Sequence, residues 1–183
     1  RPAADTTFLD PINTEHTVPQ SYFGRGDPMR SDLHHLFPTH KDANSARGSD
    51  PFGEIPDEAT DRWFGVRGDG QLAKLSAAPA DNRDAFGEDN PDEFEPPEAH
   101  EGNLARAVFY FYTVYPGRAG PIERIAKDGT ETLYRWHLND PPDAWERSRN
   151  DRIAALQGNR NPYIDHPELV CRAWGFDCSA GPP

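Results

Sequence analysis

Residues 13–21 read Asn-Thr-Glu-His-Thr-Val-Pro-Gln-Ser, residues 31–38 read Ser-Asp-Leu-His-His-Leu-Phe-Pro, and residues 44–48 read Asn-Ser-Ala-Arg-Gly. The first stretch carries strand-forming side chains around a proline, which predicts a short edge strand or an extended loop. Unless a turn intervenes, Glu15 and His16 then point to opposite sides of the chain. The second stretch predicts another extended segment.

A short helix is expected to follow these two segments. Thr39 precedes Asp42 by three residues, which is the spacing of a capping box, and Gly48 stands where a helix would end. The sequence therefore predicts a helix of about two turns over residues 40–47, with Asn44 at its middle.

These three stretches together supply carboxylate, imidazole, carboxamide and guanidinium groups. Hydrolysis of a phosphodiester needs a base to activate water, an electrophile to neutralise the transition state, and a proton or metal for the leaving oxygen. The set can provide all three functions.

The formal net charge of -12 argues at first against a nucleic-acid partner, because phosphate binding usually requires a basic excess. Nearly all of the basic residues are Arg, however, whose planar fork suits phosphate oxygens. A local Arg cluster can therefore serve a cleft within an acidic shell. Many acidic residues fall in residues 81–101, which we interpret as a solvated loop. Capture of Ca²⁺ there is a weaker alternative, since no EF-hand spacing occurs.

The C-terminal half is predicted to be mainly helical. Apolar residues recur at helical spacing over residues 103–115, where Asn103 can cap the helix. Further helices are expected over residues 123–126, 130–137 and 143–157, the last with an apolar face formed by Trp145, Ile153 and Leu156. Residues 62–75 predict a strand pair, and most of the remaining sequence between residues 51 and 97 is expected to be loop. Aromatic side chains at residues 109–112 could stack on bases, but core packing is the better interpretation for Phe111 and Tyr112.

Two cysteines, Cys171 and Cys178, are the only ones in the chain. Their proximity suggests one small disulfide loop formed in an oxidising compartment. Free thiols in a reducing compartment, or half of a metal site, are the alternatives. No apolar run approaches the roughly 20 residues that a membrane-spanning helix needs, so no membrane partner is expected.

The order and wording of these motifs closely resemble the bacterial endonuclease I family of the ββα-metal, or His-Me finger, nuclease superfamily. Residues 102–110, 136–141 and 157–167 strengthen the resemblance, which covers residues 13–174. It implies an α+β fold, a mainly helical domain with long loops around a ββα-metal finger core. We expect an irregular lead-in over residues 1–12, the nuclease domain over 13–176 and a tail over 177–183. Relatives usually have more helical sequence before the Glu-His motif, so we expect a trimmed form or a variant.

The resemblance also implies a metal-dependent, sequence-nonspecific endonuclease that cuts DNA, with RNA as a second substrate, and leaves 5′-phosphate ends. His16 would be the general base, and Glu15 and Asn44 would hold one divalent cation. Their oxygen ligands suit Mg²⁺, with Mn²⁺ or Ca²⁺ as substitutes. A nearby arginine would neutralise charge in the transition state, and the candidates are Arg25, Arg30 and Arg47. The protein is expected to be a secreted or periplasmic monomer.

Other residues of these motifs have weaker assignments. Adjacent residues of an extended segment point apart, so His34 and His35 are expected to support the site or the fold rather than ligate zinc. Arg106, Asn159 and Arg160 are lesser candidates for substrate contact, because residues 157–165 also suit a helix end and a proline-locked turn. Two alternative functions remain: a nucleic-acid-binding module that has lost catalysis, and a metalloprotease-like hydrolase, for which the zinc motif is missing.

Overall fold

Two small antiparallel sheets and six α helices make up the part of the chain that the computed structural model describes, residues 11–68 and 70–180. The strands are β1 Ile12–His16, β2 Leu36–His40, β3 Arg62–Val66, β4 Leu72–Leu75, β5 Gly87–Asp89 and β6 Phe94–Glu95. The helices are α1 Lys41–Arg47, α2 Glu98–Val114, α3 Thr130–Asn139, α4 Ala144–Gln157, α5 Pro162–Asp165 and α6 Leu169–Trp174. The predicted α+β class with a mainly helical C-terminal half is confirmed.

The strands β1 and β2 pair with each other, and α1 follows β2 directly. Glu15 lies opposite Phe37 in this pairing. The predicted short helix is confirmed, but its cap is not Thr39: the His40 ring accepts a hydrogen bond from the backbone N–H of Asp42 at 3.0 Å. Gly48 ends the helix with a φ of 54°, a conformation that costs glycine little.

The predicted extended segment over residues 31–38 is only partly correct. Residues Leu33–His35 form a 3-10 turn, and the strand begins at Leu36. The carboxylate of Asp32 accepts a hydrogen bond from the backbone N–H of His34 at 3.0 Å. Because a short acidic side chain can satisfy nearby backbone groups in this way, it competes with strand pairing and favours a turn.

The central helix α2 begins five residues before its predicted start, so Asn103 lies inside it rather than at its cap. It is buried on every side, from Glu101 through Tyr112, and its aromatic residues belong to the main hydrophobic core. Gly102 permits a close approach to α3, since a Cβ there would meet the carbonyl oxygen of Asp140 at 1.9 Å. Core packing of Phe111 and Tyr112 is confirmed.

The helix predicted over residues 143–157 is confirmed as α4, and the Asp143 side chain caps it by accepting a hydrogen bond from the backbone N–H of Glu146 at 2.7 Å. Its expected apolar inner face is wrong: Trp145 and Leu156 are 55% and 77% exposed. The buried face instead carries Glu146 and Asn150 beside Ile153. The helix predicted over residues 123–126 is a single 3-10 turn, Ile122–Arg124.

The second sheet has the strand order β4-β3-β5-β6. The predicted strand pair is confirmed, with Trp63 opposite Leu75 and Val66 opposite Leu72. The strands β5 and β6 were not predicted.

The interpretation of residues 81–101 as a solvated acidic loop is wrong for several of its carboxylates, which are buried. Asp89 pairs with Arg62, and Glu93 pairs with Lys127 at 2.5 Å. These ion pairs compensate part of the cost of removing the carboxylates from water.

The described C-terminal segment contains the predicted disulfide, between Cys171 and Cys178. Among the described residues, none of the helices has the length and apolar character of a membrane span. Residues 1–10 and 181–183, which include most of the expected lead-in and part of the expected tail, lie outside the described residues, and the domain division stays a prediction.

Candidate active site

The His16 ring, at the end of β1, has its two nitrogens in different surroundings. Nε2 lies 3.0 Å from the carbonyl oxygen of Arg30. Because a carbonyl can only accept, Nε2 carries the proton, and the lone pair lies on Nδ1. Burial lowers the pKa of His16, an effect only partly offset by the Arg30 carbonyl. The ring is therefore neutral near pH 7, and its basic Nδ1 accepts a long hydrogen bond, of 3.4 Å, from the Gln20 amide.

Two further histidines lie behind this ring. His35 meets His16 edge-on, with ring centroids 5.5 Å apart, and its Nε2 lies 2.6 Å from the carbonyl oxygen of Met29. His34 packs on Tyr110 with centroids 4.5 Å apart. Both are almost completely buried, and burial lowers the pKa of His35 to about 4. They form a neutral interior wall of the site.

The Glu15 carboxylate is held by Arg47 of α1. Nη1 of the guanidinium donates to Glu15 Oε1 at 2.7 Å and to the backbone carbonyl of His16 at 3.2 Å, and Nη2 donates to Thr17 O at 3.2 Å. The group also lies over the Phe52 ring. Burial raises the pKa of Glu15, and Arg47 opposes that rise. The arginine thus locks α1 to β1.

This placement corrects the expectation that Arg47 stabilises the transition state by direct contact. Its side chain is 3% exposed, and its donors are engaged by Glu15 and backbone carbonyls. Arg25 and Arg30 are exposed instead, and neither guanidinium has a hydrogen-bond or ion-pair partner among the described residues. Arg30 also supplies the carbonyl that orients His16. These two arginines stay candidates for neutralising charge in the transition state.

Asn44 lies on α1 beside β1. Its Nδ2 donates to the carbonyl oxygen of Thr14 at 2.9 Å, which fixes the amide and leaves Oδ1 as an acceptor. Asn44 and Glu15 line one cavity of about 350 Å³ between the two sheets, whose walls are mostly apolar. This pair of oxygen donors fits a hard divalent cation. No cluster of three or more His, Cys, Asp or Glu suited to a metal occurs among the described residues, so water and substrate would complete the shell.

The lesser substrate candidates separate in the structure. The predicted substrate contact of Arg106 is wrong, because this side chain is fully buried and paired with Glu146 at 2.6 Å. Asn159 donates to the Tyr110 hydroxyl at 2.5 Å, within a polar network. Arg160 is partly exposed and forms a two-bond contact with Asp165. A substrate role for Asn159 or Arg160 stays untested.

Two residues near the site were missed by sequence reasoning. Gln20 is the polar neighbour of His16, and its signal was its place four residues later in the same motif. Asp32 is buried and accepts from the hydroxyls of Tyr110 and Tyr115 at 2.8 and 2.7 Å. An acidic residue directly before a buried Leu-His-His stretch was the available signal for this structural role.

Comparisons with known proteins identify the family of this chain. Residues 4–168 match the family model described as Endonuclease I. The chain is 32% identical to an extracellular ribonuclease of Bacillus subtilis (strain 168) over 88% of its length and 54% of the relative's. It is 28% identical to an extracellular deoxyribonuclease of Aeromonas hydrophila and 26% identical to a periplasmic deoxyribonuclease of the same species. Each of these two covers 84% of the chain, and the chain covers 66% and 63% of them respectively. The chain thus spans about half to two thirds of these relatives, and its match to the family model over most of its length shows that it belongs to the endonuclease I family.

Proposed function

We propose that the protein is a metal-dependent, sequence-nonspecific endonuclease that hydrolyses phosphodiester bonds of DNA and also accepts RNA. The observation that carries this proposal is the His16 ring, whose Nε2 proton is fixed on the Arg30 carbonyl so that Nδ1 is the basic atom. Relatives named as ribonucleases and deoxyribonucleases support both substrate classes.

His16 takes the proton of the attacking water on Nδ1. Its neutral form is favoured because burial lowers its pKa, and the bond to the Arg30 carbonyl stabilises the imidazolium that forms after proton transfer. The neighbouring His35 is held neutral in the interior and adds no competing charge. The ring is thus oriented before substrate binds.

Glu15 and Asn44 would hold one divalent cation, Mg²⁺ in the first place, with Mn²⁺ or Ca²⁺ as substitutes. When bound, this cation supplies positive charge to the phosphate and to the leaving 3′ oxygen, which gives 5′-phosphate products. Arg47 keeps the Glu15 carboxylate in place at the cavity wall. Arg25 and Arg30 supply exposed positive charge for the sugar-phosphate backbone, which carries no sequence information.

The relatives named as extracellular or periplasmic support secretion or a periplasmic location, as does the disulfide. We propose that the enzyme acts there as a monomer.

Removal of divalent cations is expected to abolish cleavage. Plasmid DNA and a single-stranded RNA would be incubated with protein from which a chelator has removed divalent cations. Mg²⁺ would then be added back, and the product ends would be tested for 5′-phosphate.

The Asn44→Ala variant lacks one proposed oxygen ligand of the cation. The Mg²⁺ concentration at half-maximal rate should therefore rise about tenfold or more, since loss of a residue that supports a metal site commonly costs that much metal affinity.

Glu123→Gln, an exposed glutamate elsewhere, is the matched control and should leave the Mg²⁺ requirement unchanged. Cleavage that persists after chelation would overturn the proposed metal dependence. If the parent protein binds DNA but cuts neither substrate with any divalent cation, it is instead a binding module that has lost catalysis.

The acid limb of the pH profile should report His16. Burial lowers its pKa from the ordinary value of 6.5, so the neutral base persists as the pH falls to 6.5, and activity is lost only as the pH falls further through the lowered pKa. The measurement is kcat/KM against pH at saturating Mg²⁺. An acid limb centred above 6.5 would contradict this assignment.

A further inference from the structure

Two consecutive 3-10 turns, Met29–Ser31 and Leu33–His35, form a segment that we call the double turn. This segment supplies the carbonyl that orients the proposed base, since Arg30 O lies 3.0 Å from His16 Nε2. A displacement of the segment would lengthen or bend that hydrogen bond and so weaken it. The position of the double turn therefore decides how firmly the ring proton is held on Nε2.

Asp32 joins the two halves of the double turn, and its carboxylate is buried. One oxygen, Oδ1, accepts from the backbone N–H of His34 at 3.0 Å and from the Gln157 amide at 2.8 Å. The other, Oδ2, accepts from the hydroxyls of Tyr110 and Tyr115 at 2.8 and 2.7 Å. Three of these four bonds tie the double turn to α2 and to the end of α4.

The segment after α4 holds the same network from another side. The Asn159 amide donates to the Tyr110 hydroxyl at 2.5 Å, and its oxygen accepts from Gln157 at 2.8 Å. The backbone carbonyl of Asn159 lies 3.1 Å from His34 Nε2. Because these groups are used within the protein, the contacts of Asn159 favour a positioning role over substrate contact.

Packing alone does not require a carboxylate at position 32. Asp32 is 5% exposed and forms no ion pair with another described residue. Burial by itself would raise its pKa, yet hydrogen bonds from Gln157, His34 and the two tyrosines hold that pKa below its ordinary value. An apolar side chain would avoid the cost of burying a charge, but it could not hold the backbone by directed bonds. The arrangement therefore favours a role in fixing geometry.

We propose that Asp32 is a positioning residue for His16, because its four hydrogen bonds hold the double turn where the Arg30 carbonyl fixes the His16 tautomer. Asp32 acts through the backbone and not by contact with the reacting atoms. The inference rests on the proposed nuclease function for its effect on rate, whereas the tautomer is a property of the folded chain without substrate.

Proton–nitrogen NMR correlations of the histidine rings test the tautomer directly, because they distinguish a protonated from an unprotonated ring nitrogen. Protein with isotope-labelled histidine would be measured at mildly alkaline pH, where the rings are neutral, without metal ion or nucleic acid. The His16 signals are those lost in His16→Ala. The parent protein should show a proton on Nε2 of His16 and none on Nδ1.

Asp32→Asn keeps the shape of the side chain but places an N–H₂ group where one carboxylate oxygen accepts hydrogen bonds. His16 should then exchange between its two tautomers and give intermediate nitrogen shifts. His137 is the internal control, since its Nε2 lies 3.1 Å from the Pro167 carbonyl and its signals should not move. The kcat for plasmid cleavage should fall about tenfold or more, with KM within about twofold of the parent, since a displacement of about 1 Å can cost about 100-fold in rate.

Tyr115→Phe is a second variant if Asp32→Asn does not fold, because it removes one donor and keeps the charge of Asp32. It should change the tautomer and kcat in the same direction, but less. Tyr112→Phe is the matched control on the same helix, since the Tyr112 hydroxyl donates to the carbonyls of Ala119 and Pro121. The kcat and the His16 signals of this control should equal those of the parent.

Three results would overturn the inference. They are unchanged His16 signals in the folded variants, a kcat equal to that of the parent, and an equal loss of kcat in Tyr112→Phe, which would indicate general destabilisation. If the parent protein cuts no nucleic acid, the proposed function fails, and the NMR measurement alone then decides whether Asp32 sets the tautomer of His16.

Discussion

Replacing His16 by alanine is expected to lower the rate of plasmid cleavage about 1,000-fold, within the range that general-base catalysis contributes. The variant loses the Nδ1 lone pair that would accept the proton of the attacking water. It should still bind the cation, because Glu15 and Asn44 are unchanged. The expected result is thus a loss of kcat with a nearly unchanged Mg²⁺ requirement.

The matched control for this prediction is His166→Ala, since the His166 side chain is 65% exposed and lies in the loop after α5. The activity of this variant should stay within about twofold of the parent, because substitutions of exposed residues that lie outside the active site and the core have small effects. Circular dichroism and Tm would show that His16→Ala is folded. Retention of more than a tenth of the parent rate by folded His16→Ala would rule out His16 as the base.

The short unit of β1, β2 and α1 could be predicted in outline because its signals are local. The strand pattern around Glu15 and the stop at Gly48 each depend on a few neighbouring residues. The capping-box spacing indicates Thr39 as the cap, whereas the structure has His40, an uncommon cap whose ring nitrogen accepts the hydrogen bond from Asp42 N–H. Local patterns thus predicted this structural unit but missed the residue that caps its helix.

The roles of Arg47 and of the acidic segment could not be predicted because they depend on distant partners. Arg47 is separated from Glu15 by 32 residues, and only the folded chain shows that its donors are used within the protein. Similarly, Asp89 is buried because β5 pairs with β3 and brings it to Arg62. A run of carboxylates in sequence gives no sign of such pairing, so the solvated interpretation was the natural one.

The helix α4 shows the same limit for core prediction. Its apolar residues Trp145 and Leu156 suggested an inner face, yet the helix buries Glu146 and Asn150 instead. Asn150 Nδ2 donates to the carbonyl oxygen of Asn161, and Arg106 pairs with Glu146. Hydrophobic periodicity cannot identify a polar interior, because its stability comes from hydrogen bonds between segments that are far apart in sequence.

Replacing Arg106 by alanine is therefore expected to cost about 3–5 kcal/mol in the free energy of unfolding. The guanidinium donates to both carboxylate oxygens of Glu146, to the carbonyl oxygen of Asp140 at 2.7 Å and to Asn103 Oδ1 at 3.0 Å. Its removal leaves the Glu146 carboxylate, which is 2% exposed, without a counter-charge. Urea denaturation followed by circular dichroism would measure the loss.

The double variant Arg106→Met with Glu146→Met separates the pair from the charge that it leaves behind. It should recover more than half of the lost stability, because two apolar side chains of similar volume need no counter-charge. Arg160→Ala is the control, since its partly exposed pairs with Asp151 and Asp165 should be worth about 1 kcal/mol or less. A loss below about 1 kcal/mol for Arg106→Ala would mean that water reaches Glu146 in the folded protein. The buried pair would then not be what holds α2 against α4.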